Sequence, residues 1–459
     1  MKRMLILLAM IVTLGSLASA CETKEKDSSD VASDVTIGDG AETESSADKF
    51  EPIQLELALT EICYGPLRTF ASNYGFQNAG IKVSLVEATD EAAKMRVMAD
   101  LMNGSGPDVL LVSKADMEQL FSYGALRPVS ECISEETRNA FYPNILGEGI
   151  IDGELVGVIP YVTTVRTFIA RKDVLTAEEH TLDRLMELKR TKKDVKRIYT
   201  YLFDDMDLFF ETYSLFGQDW MHSQFVDAER GKSLFNEKAF RDVLELLKQE
   251  NDVKVGGEDY LTSGEILAEF TLISGPFAIF TDLYDKFGES GGIVGFPTPD
   301  GGKNFFQTDG FLVINRNSEH VKEISDFLEF ALSAATQVTN TYFLSVRSDV
   351  LDHALHALKP EEFKKSPISP GLEYRYVWAY GAWAVKKDFM YIHGADTLDE
   401  MREEYHSFME SIVPFDQDNA KVFDDVIWPE IEEYLAGNKS VEATAETIDR
   451  RVQLYLDER

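Results

Sequence analysis

The chain has 459 residues, of which 44% are hydrophobic and 27% are charged. This balance is that of a globular protein, and the length exceeds what one ordinary hydrophobic core holds, so we expect two domains. Asp and Glu number 80 against 45 Lys and Arg, which gives a formal net charge of −35. A surface this acidic repels the phosphates of nucleic acids, so we expect no nucleic-acid partner.

The N-terminus has the pattern of an export signal. Lys2 and Arg3 precede a short apolar run over 4–14, which is shorter than the ~20 residues that a membrane helix needs. Residues 17–21 read LASAC, which resembles a bacterial lipobox. That resemblance implies that Cys21 becomes the lipidated mature N-terminus. The alternative is a plain signal peptide in which Cys21 is incidental.

A polar stretch follows this signal. Between residues 22 and 49 the chain is rich in Ser, Asp, Glu, Thr and Ala and contains no aromatic residue. Such a segment buries too little apolar surface to offset the entropy of ordering. We therefore assign residues 1–20 to a lipoprotein signal peptide and residues 21–50 to a disordered acidic tether. No later segment has the length and apolarity of a membrane helix, so the anchor is expected at the N-terminus alone.

Strands and helices alternate through the next part of the chain. Hydrophobic spacing predicts, in order, a strand (53–59), a helix (67–74), a strand (81–85), a helix (95–102), a strand (108–112) and a helix (116–123). This order is typical of a parallel α/β sheet with helices on both faces.

Longer helices are predicted downstream. One carries Phe240, Val243, Leu244 and Leu247 on a single face, and another places an apolar stripe over 324–332. The C-terminal third is predicted to be almost wholly helical. Its last helix begins at Ser440, a residue type that favours helix N-termini.

Cysteine content and motifs limit the chemistry. Apart from Cys21, the chain holds Cys63 and Cys132, which either form one disulfide or remain buried thiols. Two cysteines without nearby His make a poor metal site, so we expect no metal and no other cofactor. The sequence contains no GxSxG, P-loop or GxGxxG pattern, and we predict no catalytic residue.

Four stretches, in order, resemble the extracellular solute-binding lipoproteins of bacterial ABC importers. They are GSGPDVLL (104–111) with GAL (124–126), VGVIPY (156–161), SGPFA (274–278) with VGFPTPDG (294–301), and the tail over 436–456. The resemblance is to the maltose-binding-protein-like, carbohydrate-type class (family 1). Each motif is weak alone, but their order and spacing together are fairly specific.

The resemblance implies a two-lobed α/β fold, the periplasmic-binding-protein-like type II. Parallel-rich sheets flanked by helices form each lobe, and more than one chain crossing joins the lobes at a hinge beside the ligand cleft. The first lobe is expected at 51–162 with 297–335. The second is expected at 163–296 with 336–459. Pro160 and Pro297 would stiffen the ends of the two crossing strands.

Candidate ligand-binding residues are sought at loop ends that face the cleft. A sugar offers hydroxyl rims and flat C–H faces, so polar side chains and aromatic rings are the expected partners. The candidates are Glu61 and Tyr64 after the first strand, Ser113 and Asp116 after the third strand, Tyr161, Thr163 and Thr164 at the first crossing, Asp205, Met206, Trp220 and Phe277 in the second lobe, and Asp309 and Gly310 after the return crossing.

Several candidates have specific alternatives. Asp116 also suits the first turn of a helix, where the dipole favours an acid. Phe277 stands where many relatives carry Trp, so it can stack but lacks the indole donor. Gly310 would let a ligand approach the backbone. For the other candidates, ordinary packing is the competing interpretation.

The sequence as a whole favours a lipid-anchored, monomeric receptor on the extracellular face of the bacterial cytoplasmic membrane. It would capture a small solute, most simply an oligosaccharide or sugar, and deliver it unchanged to ABC permease subunits. Two alternatives remain open. One is a surface polysaccharide-degrading enzyme that uses paired carboxylates, and the other is a sensor or scaffold of the same fold. The identity of the ligand is left open.

Overall fold

The computed structural model describes residues 52–457 except 64, 79, 201–223, 228–229, 252–262, 276–286, 288–289, 339–342, 351–362, 366–372, 377–383, 387–394 and 416–421. The predicted signal peptide, the tether and Cys21 lie outside these residues. No helix in the described part is long and apolar enough to span a bilayer.

Strands and helices are interspersed along the chain. The strands are β1 (Ile53–Leu59), β2 (Ile81–Glu87), β3 (Val109–Val112), β4 (Leu126–Arg127), β5 (Ile150–Ile151), β6 (Glu154–Leu155), β7 (Gly157–Val158), β8 (Thr164–Arg171), β9 (Arg197–Thr200), β10 (Val226–Asp227), β11 (Lys232–Ser233), β12 (Ile266–Ile273), β13 (Gly291–Ile293), β14 (Phe296–Thr298), β15 (Gly301–Lys303), β16 (Phe305–Gln307), β17 (Phe311–Asn315), β18 (Phe363–Lys365), β19 (Glu373–Tyr376), β20 (Ala384–Lys386) and β21 (Val413–Pro414). The helices are α1 (Leu67–Gln77), α2 (Glu91–Met102), α3 (Lys114–Ser122), α4 (Glu135–Asn139), α5 (Pro143–Gly147), α6 (Leu182–Thr191), α7 (Lys238–Asn251), α8 (Val321–Ala331), α9 (Ala334–Gln337), α10 (Ala395–Ser411), α11 (Trp428–Leu435) and α12 (Val441–Asp457).

The first sheet has the strand order β2–β1–β3–β17–β4, and β7 also pairs with β17. β1 pairs in parallel with β2 and β3, as the alternation of strands and helices predicts. β17 arrives from much later in the chain and runs antiparallel to β3, β4 and β7. The six elements predicted between residues 53 and 123 are confirmed, with ends that differ by a few residues.

Helices cover this sheet with apolar faces. On α1, Leu67, Phe70 and Tyr74 are buried, and the Tyr74 ring meets the Phe327 ring of α8 edge-on, with centroids 5.4 Å apart. The predicted stripe over 324–332 is buried, which confirms that α8 packs on its apolar face. Burial of this kind contributes roughly 25 cal/mol per Å² of apolar area removed from water.

The second sheet has the strand order β21–β16–β8–β12–β9, with β13 also paired to β8. Its long central strand β8 runs antiparallel to β12, β13 and β16. Parallel pairs join β12 to β9 and β16 to β21. Both sheets are therefore mixed, with parallel and antiparallel pairs in each.

Aromatic residues fill the core beneath the second sheet. Phe225, Phe235 and Phe240 form a cluster with centroids 4.9 to 5.5 Å apart, and Phe240 comes from the predicted apolar face of α7. The last helix α12 packs against the same core through Ile448 and Val452. The Ser440 hydroxyl accepts a hydrogen bond from the Ala443 amide at 3.2 Å, which confirms the predicted helix start.

The chain passes between the sheets at adjacent crossings. It leaves β7 and enters β8 through 159–163, and it returns from β16 to β17 through 308–310. These two crossings are hydrogen-bonded to each other, since the Thr308 hydroxyl donates to the Tyr161 carbonyl at 3.2 Å. Beside this bond, the Thr163 amide donates to the carbonyl of Gln307 at the end of β16 at 2.8 Å. A third segment joins them, because Val162 and Leu344 form an antiparallel bridge.

The lobe boundaries stay a prediction. β16 follows the expected return at residue 297, yet it pairs within the second sheet. Leu344 and Val346 fall in the range assigned to the second lobe, and they pack in the core that lies under the first sheet.

Two local expectations have clear outcomes. The C-terminal third is not almost wholly helical, because β18, β19 and β20 form a three-stranded antiparallel sheet there and β21 joins the second sheet. Short strands of this kind have too few residues for their alternation to stand out from the surrounding sequence. Cys63 and Cys132 are both free thiols, so the question of a disulfide between them is answered in the negative.

The backbone at the return crossing requires glycine. Gly310 has a φ of +143°, and a Cβ there would lie 2.6 Å from the Val112 carbonyl oxygen. We expect Gly310→Ala to lower the free energy of unfolding by about 2–4 kcal/mol, measured by urea denaturation. Gly437→Ala is the matched control, because its φ of +81° is also positive but no atom lies within 4 Å of the added Cβ. Equal losses in both variants would show that the contact with Val112 contributes nothing.

A buried histidine makes the stability of the second core depend on pH. His180 is fully buried, with Nδ1 3.1 Å from the Val294 carbonyl oxygen and Nε2 2.9 Å from the Tyr199 hydroxyl. Burial lowers the pKa of His180 from 6.5 to about 4. Above pH 6.5 both the folded and the unfolded chain carry neutral His180. As the pH falls from there toward 4, only the unfolded chain binds the proton, so stability is lost.

We expect this group alone to cost about 3 kcal/mol of unfolding free energy across that interval. His180→Gln should be less stable than the parent at neutral pH, because it cannot make both hydrogen bonds. Its stability should fall less steeply with acidification. Urea titrations of both proteins between about pH 7.5 and pH 4.5 measure the difference. Parallel profiles would contradict the assignment.

Candidate functional site

A cavity of about 630 Å³ lies where the crossings join the two sheets. Its walls come from the loops after β1 and β3 of the first sheet and from β16 and β21 of the second. Segment 308–310 contributes to its lining between these walls. The volume is within the range of 300 to 1,000 Å³ that is usual for small-molecule sites.

The first-sheet wall contains an ion-paired cluster. Ser113 begins α3, and its hydroxyl donates to Asp116 Oδ2 at 2.7 Å while accepting from the Asp116 amide at 3.2 Å. Lys94 of α2 contacts both acids of the wall, with Nζ 2.8 Å from Glu61 Oε1 and 2.6 Å from Asp116 Oδ2. Burial disfavours the charge on Lys94, but the hydrogen bonds to the two carboxylates outweigh it and raise the pKa of Lys94. The ammonium therefore stays charged and holds both acids in place.

A buried carboxylate ties the crossings to the loop after β1. Asp309 Oδ2 accepts hydrogen bonds from the Gly65 amide and from the Tyr161 hydroxyl, each at 2.8 Å. Burial and the nearby charge of Asp309 raise the pKa of Tyr161, so its hydroxyl remains a donor. Cys63 Sγ lies 3.4 Å from the same hydroxyl, and burial raises the pKa of this thiol. Tyr161 and Cys63 therefore both keep their protons at neutral pH.

The ring of Tyr161 packs directly against the backbone of Gly65, which leaves room for it because glycine has no side chain. A Cβ on Gly65 would lie 2.1 Å from the Tyr161 ring, so any larger residue would displace the ring. Phe70 meets the same ring edge-on at 6.5 Å, and Phe343 lies at 5.5 Å. This packing fixes the position of the Tyr161 hydroxyl, which donates a hydrogen bond to Asp309.

The second-sheet wall is partly apolar. Pro414 ends β21 and the half-buried Phe415 follows it directly. The guanidinium of Arg166 lies 4.5 Å from the Phe415 ring centroid. Thr163 and Gln307 supply polar groups beside them, and the Thr163 hydroxyl donates to the Gln307 carbonyl at 2.9 Å. This wall offers a flat ring next to hydrogen-bonding groups.

Most of the predicted site residues that the structure describes lie at this cavity. Five of them line it: Glu61, Ser113, Thr163, Asp309 and Gly310. Two lie behind the lining and hold it: Asp116, through Ser113, and Tyr161, through Asp309. Thr164 is placed otherwise, since its hydroxyl donates to the Ile273 carbonyl within the second sheet at 3.2 Å.

Five predicted residues lie outside the described part of the chain: Tyr64, Asp205, Met206, Trp220 and Phe277. The close approach that Gly310 permits within the described residues is to the Val112 carbonyl, whereas sequence analysis expected an approach by ligand.

Sequence analysis missed other lining residues. Gln307 and Thr308 directly precede Asp309, so their place in the return crossing was a usable signal. Lys114 and Glu118 lie on α3 beside the predicted Ser113, at positions one turn apart. Phe415 had no such signal, because β21 is only two residues long and its pairing with β16 is remote in sequence.

Among the residues described, no group of three or more His, Cys, Asp or Glu side chains could hold a metal ion. The arrangement offers hydrogen bonds and an aromatic ring on two facing walls, which suits binding of a polar organic solute.

The fold agrees with comparisons to known proteins. A family model for bacterial extracellular solute-binding proteins matches residues 69–368. Comparison with curated proteins gives no match.

Solved structures share the fold. A cyclic alpha-maltosyl-1,6-maltose binding protein from Arthrobacter globiformis is 15% identical, with 89% of this chain and 100% of that chain covered and a TM-score of 0.50. An extracellular solute-binding protein family 1 member from Alicyclobacillus acidocaldarius is 14% identical, with 88% and 99% covered and a TM-score of 0.51. At this level of identity the likeness concerns the two-lobed fold of the maltose-binding-protein type. Together with the family match, it shows that the chain belongs to the bacterial extracellular solute-binding proteins.

Proposed function

We propose that this protein is the substrate-binding component of an ABC importer and captures an oligosaccharide or sugar in the cavity between its sheets. The observation that carries the proposal is a cavity of about 630 Å³ whose walls come from both sheets beside the crossings. A solute bound there contacts both lobes at once. It therefore stabilises the conformation in which the lobes are closed, by as much as its affinities for the two conformations differ.

The chemistry of the lining supports a carbohydrate. Glu61, Ser113 and Gln307 supply carboxylate, hydroxyl and amide groups for sugar hydroxyls, and Phe415 supplies a ring for a C–H face. The Arthrobacter protein that shares the fold is described as binding a cyclic maltosyl-maltose, which is consistent with this class of ligand.

The solute is released unchanged in this proposal. Glycoside hydrolysis needs two carboxyl groups that flank the scissile bond, one of them free to exchange a proton. In the first-sheet wall, Glu61 and Asp116 both form ion pairs with Lys94, so each carboxylate already has a cationic partner. This supports a binding site over a hydrolytic one.

The proposal also covers where the protein lies in the cell and how it delivers its solute. The protein is anchored through lipid on Cys21, extends from the outer face of the cytoplasmic membrane on the tether 21–50, and acts as a monomer that docks its closed form on the permease. The match to an extracellular family supports this placement. Two acyl chains, or one chain with a second signal, would give stable anchoring.

The first test is binding itself. In a thermal-shift screen of neutral oligosaccharides, we expect at least one to raise the melting temperature, because a ligand at about 100-fold its Kd adds about 2.7 kcal/mol of stability. Isothermal titration then gives the affinity, and small-angle scattering of the complex should show a smaller radius of gyration. Mass spectrometry of the recovered sugar should find its mass unchanged. Absence of heat and of compaction across the panel would refute the proposal, and shortened sugar would favour the enzyme alternative.

A second test concerns the aromatic wall. We expect Phe415→Ala to weaken binding of the selected sugar about threefold to tenfold, since a stacked ring contributes about 0.5–1.5 kcal/mol. Phe76→Ala is the matched control, because Phe76 is 87% exposed on α1 and does not line the cavity. Titration calorimetry of both variants measures the change. If the two variants bind with the same affinity, Phe415 is not a stacking surface.

A further inference from the structure

The charged groups at the cavity are predominantly acidic. Glu61, Glu118, Glu148 and Asp309 line it, whereas Lys114 is the one basic residue of the lining. A surplus of three formal negative charges thus faces the space where a solute binds. Behind the lining, the Lys94 ammonium is matched by Asp116, and the Arg166 guanidinium beside the Phe415 ring offsets one of these charges, so an acidic surplus remains.

Ion pairs engage some of these acids but not all. Lys114 Nζ lies 2.5 Å from Glu148 Oε2, so these two charges largely offset each other. Lys94 holds one oxygen of Glu61. Glu118, one turn beyond Lys114 on α3, makes no ion pair with any residue in the described part of the chain. Its carboxylate is therefore available to a solute.

A cleft strengthens the electric field that such a charge surplus produces. Walls of low dielectric on two sides concentrate the field between them, and water that is displaced by a bound solute no longer screens it. A solute with a positive group gains from this field, and one with a negative group is repelled. A neutral solute is little affected.

We propose that the cavity selects by charge, favouring sugars that carry a free ammonium group over neutral sugars and excluding sugars that carry carboxylate or phosphate. This inference rests on the carbohydrate-binding function proposed above. It assigns Glu118 as a specificity-determining residue that faces the ammonium group, and it makes amino sugars the preferred substrate class.

The test compares matched ligands on the full chain. The probes are trisaccharides of glucose, glucosamine and glucuronic acid, prepared in both the β-1,4-linked and the α-1,4-linked series. Titration calorimetry at low salt should rank affinity as amino sugar, then neutral sugar, then uronic acid. We expect a ratio of about fivefold or more at each step. Raising the salt from about 0.02 M to about 0.5 M should compress the ratios, because the Debye length falls below the width of the cavity.

Glu118→Gln should narrow the ratio of affinities between amino and neutral sugars by about threefold. Glu118 is exposed at the surface of α3, so the variant is expected to fold. Glu135→Gln on α4 is the matched control, since it removes the same charge from an exposed position away from the lining and should leave the ratio unchanged.

The outcomes separate this inference from the proposed function. If a neutral trisaccharide binds and no amino derivative binds more tightly, charge selection is overturned while carbohydrate binding stands. Equal affinity for the uronic acid has the same consequence. If none of the probes binds and no neutral oligosaccharide of the thermal-shift screen binds, both the inference and the carbohydrate function are overturned.

Discussion

The carboxylate of Asp309 joins three separate parts of the chain at the point where the sheets meet. One oxygen accepts from the Gly65 amide in the loop after β1 and from the Tyr161 hydroxyl in the first crossing, while Asp309 itself belongs to the return crossing. Burying a carboxylate costs several kcal/mol unless hydrogen bonds offset the lost hydration, and these two donors contribute to that offset. The relative position of the two crossings and the cavity loop depends on this one group.

The geometry of the cavity depends on the hydrogen bonds at that junction. The same loop that Asp309 holds carries Glu61, and Lys94 joins Glu61 to Asp116 at the start of α3. On the opposite side, Thr163 and Gln307 are adjacent because the crossings hydrogen-bond to each other. Polar groups from distant parts of the sequence are thus positioned by a few buried contacts within the chain itself, which is the arrangement that a preorganised site requires.

Sequence reasoning succeeded where the signal is local. Alternation over 53–59 and helical spacing over 67–74 each contain enough residues to define a period, and both elements are present. Ser113 after β3 and Asp309 between β16 and β17 lie at the cavity, and their contact with a ligand stays a prediction. Strand pairings between residues that are remote in sequence give no such local pattern. The antiparallel entry of β17 and the position of Phe415 depend on partners more than about 100 residues away, which no periodicity encodes.

The third segment at the junction has a mechanical consequence. Because Leu344 bridges Val162 beside the other two crossings, three chain segments are hydrogen-bonded side by side at the junction. Neighbouring hydrogen-bonded segments restrain twisting more than a single connecting strand would. In the closing motion proposed above, such a row would leave rotation about its own line as the easiest movement of one lobe against the other.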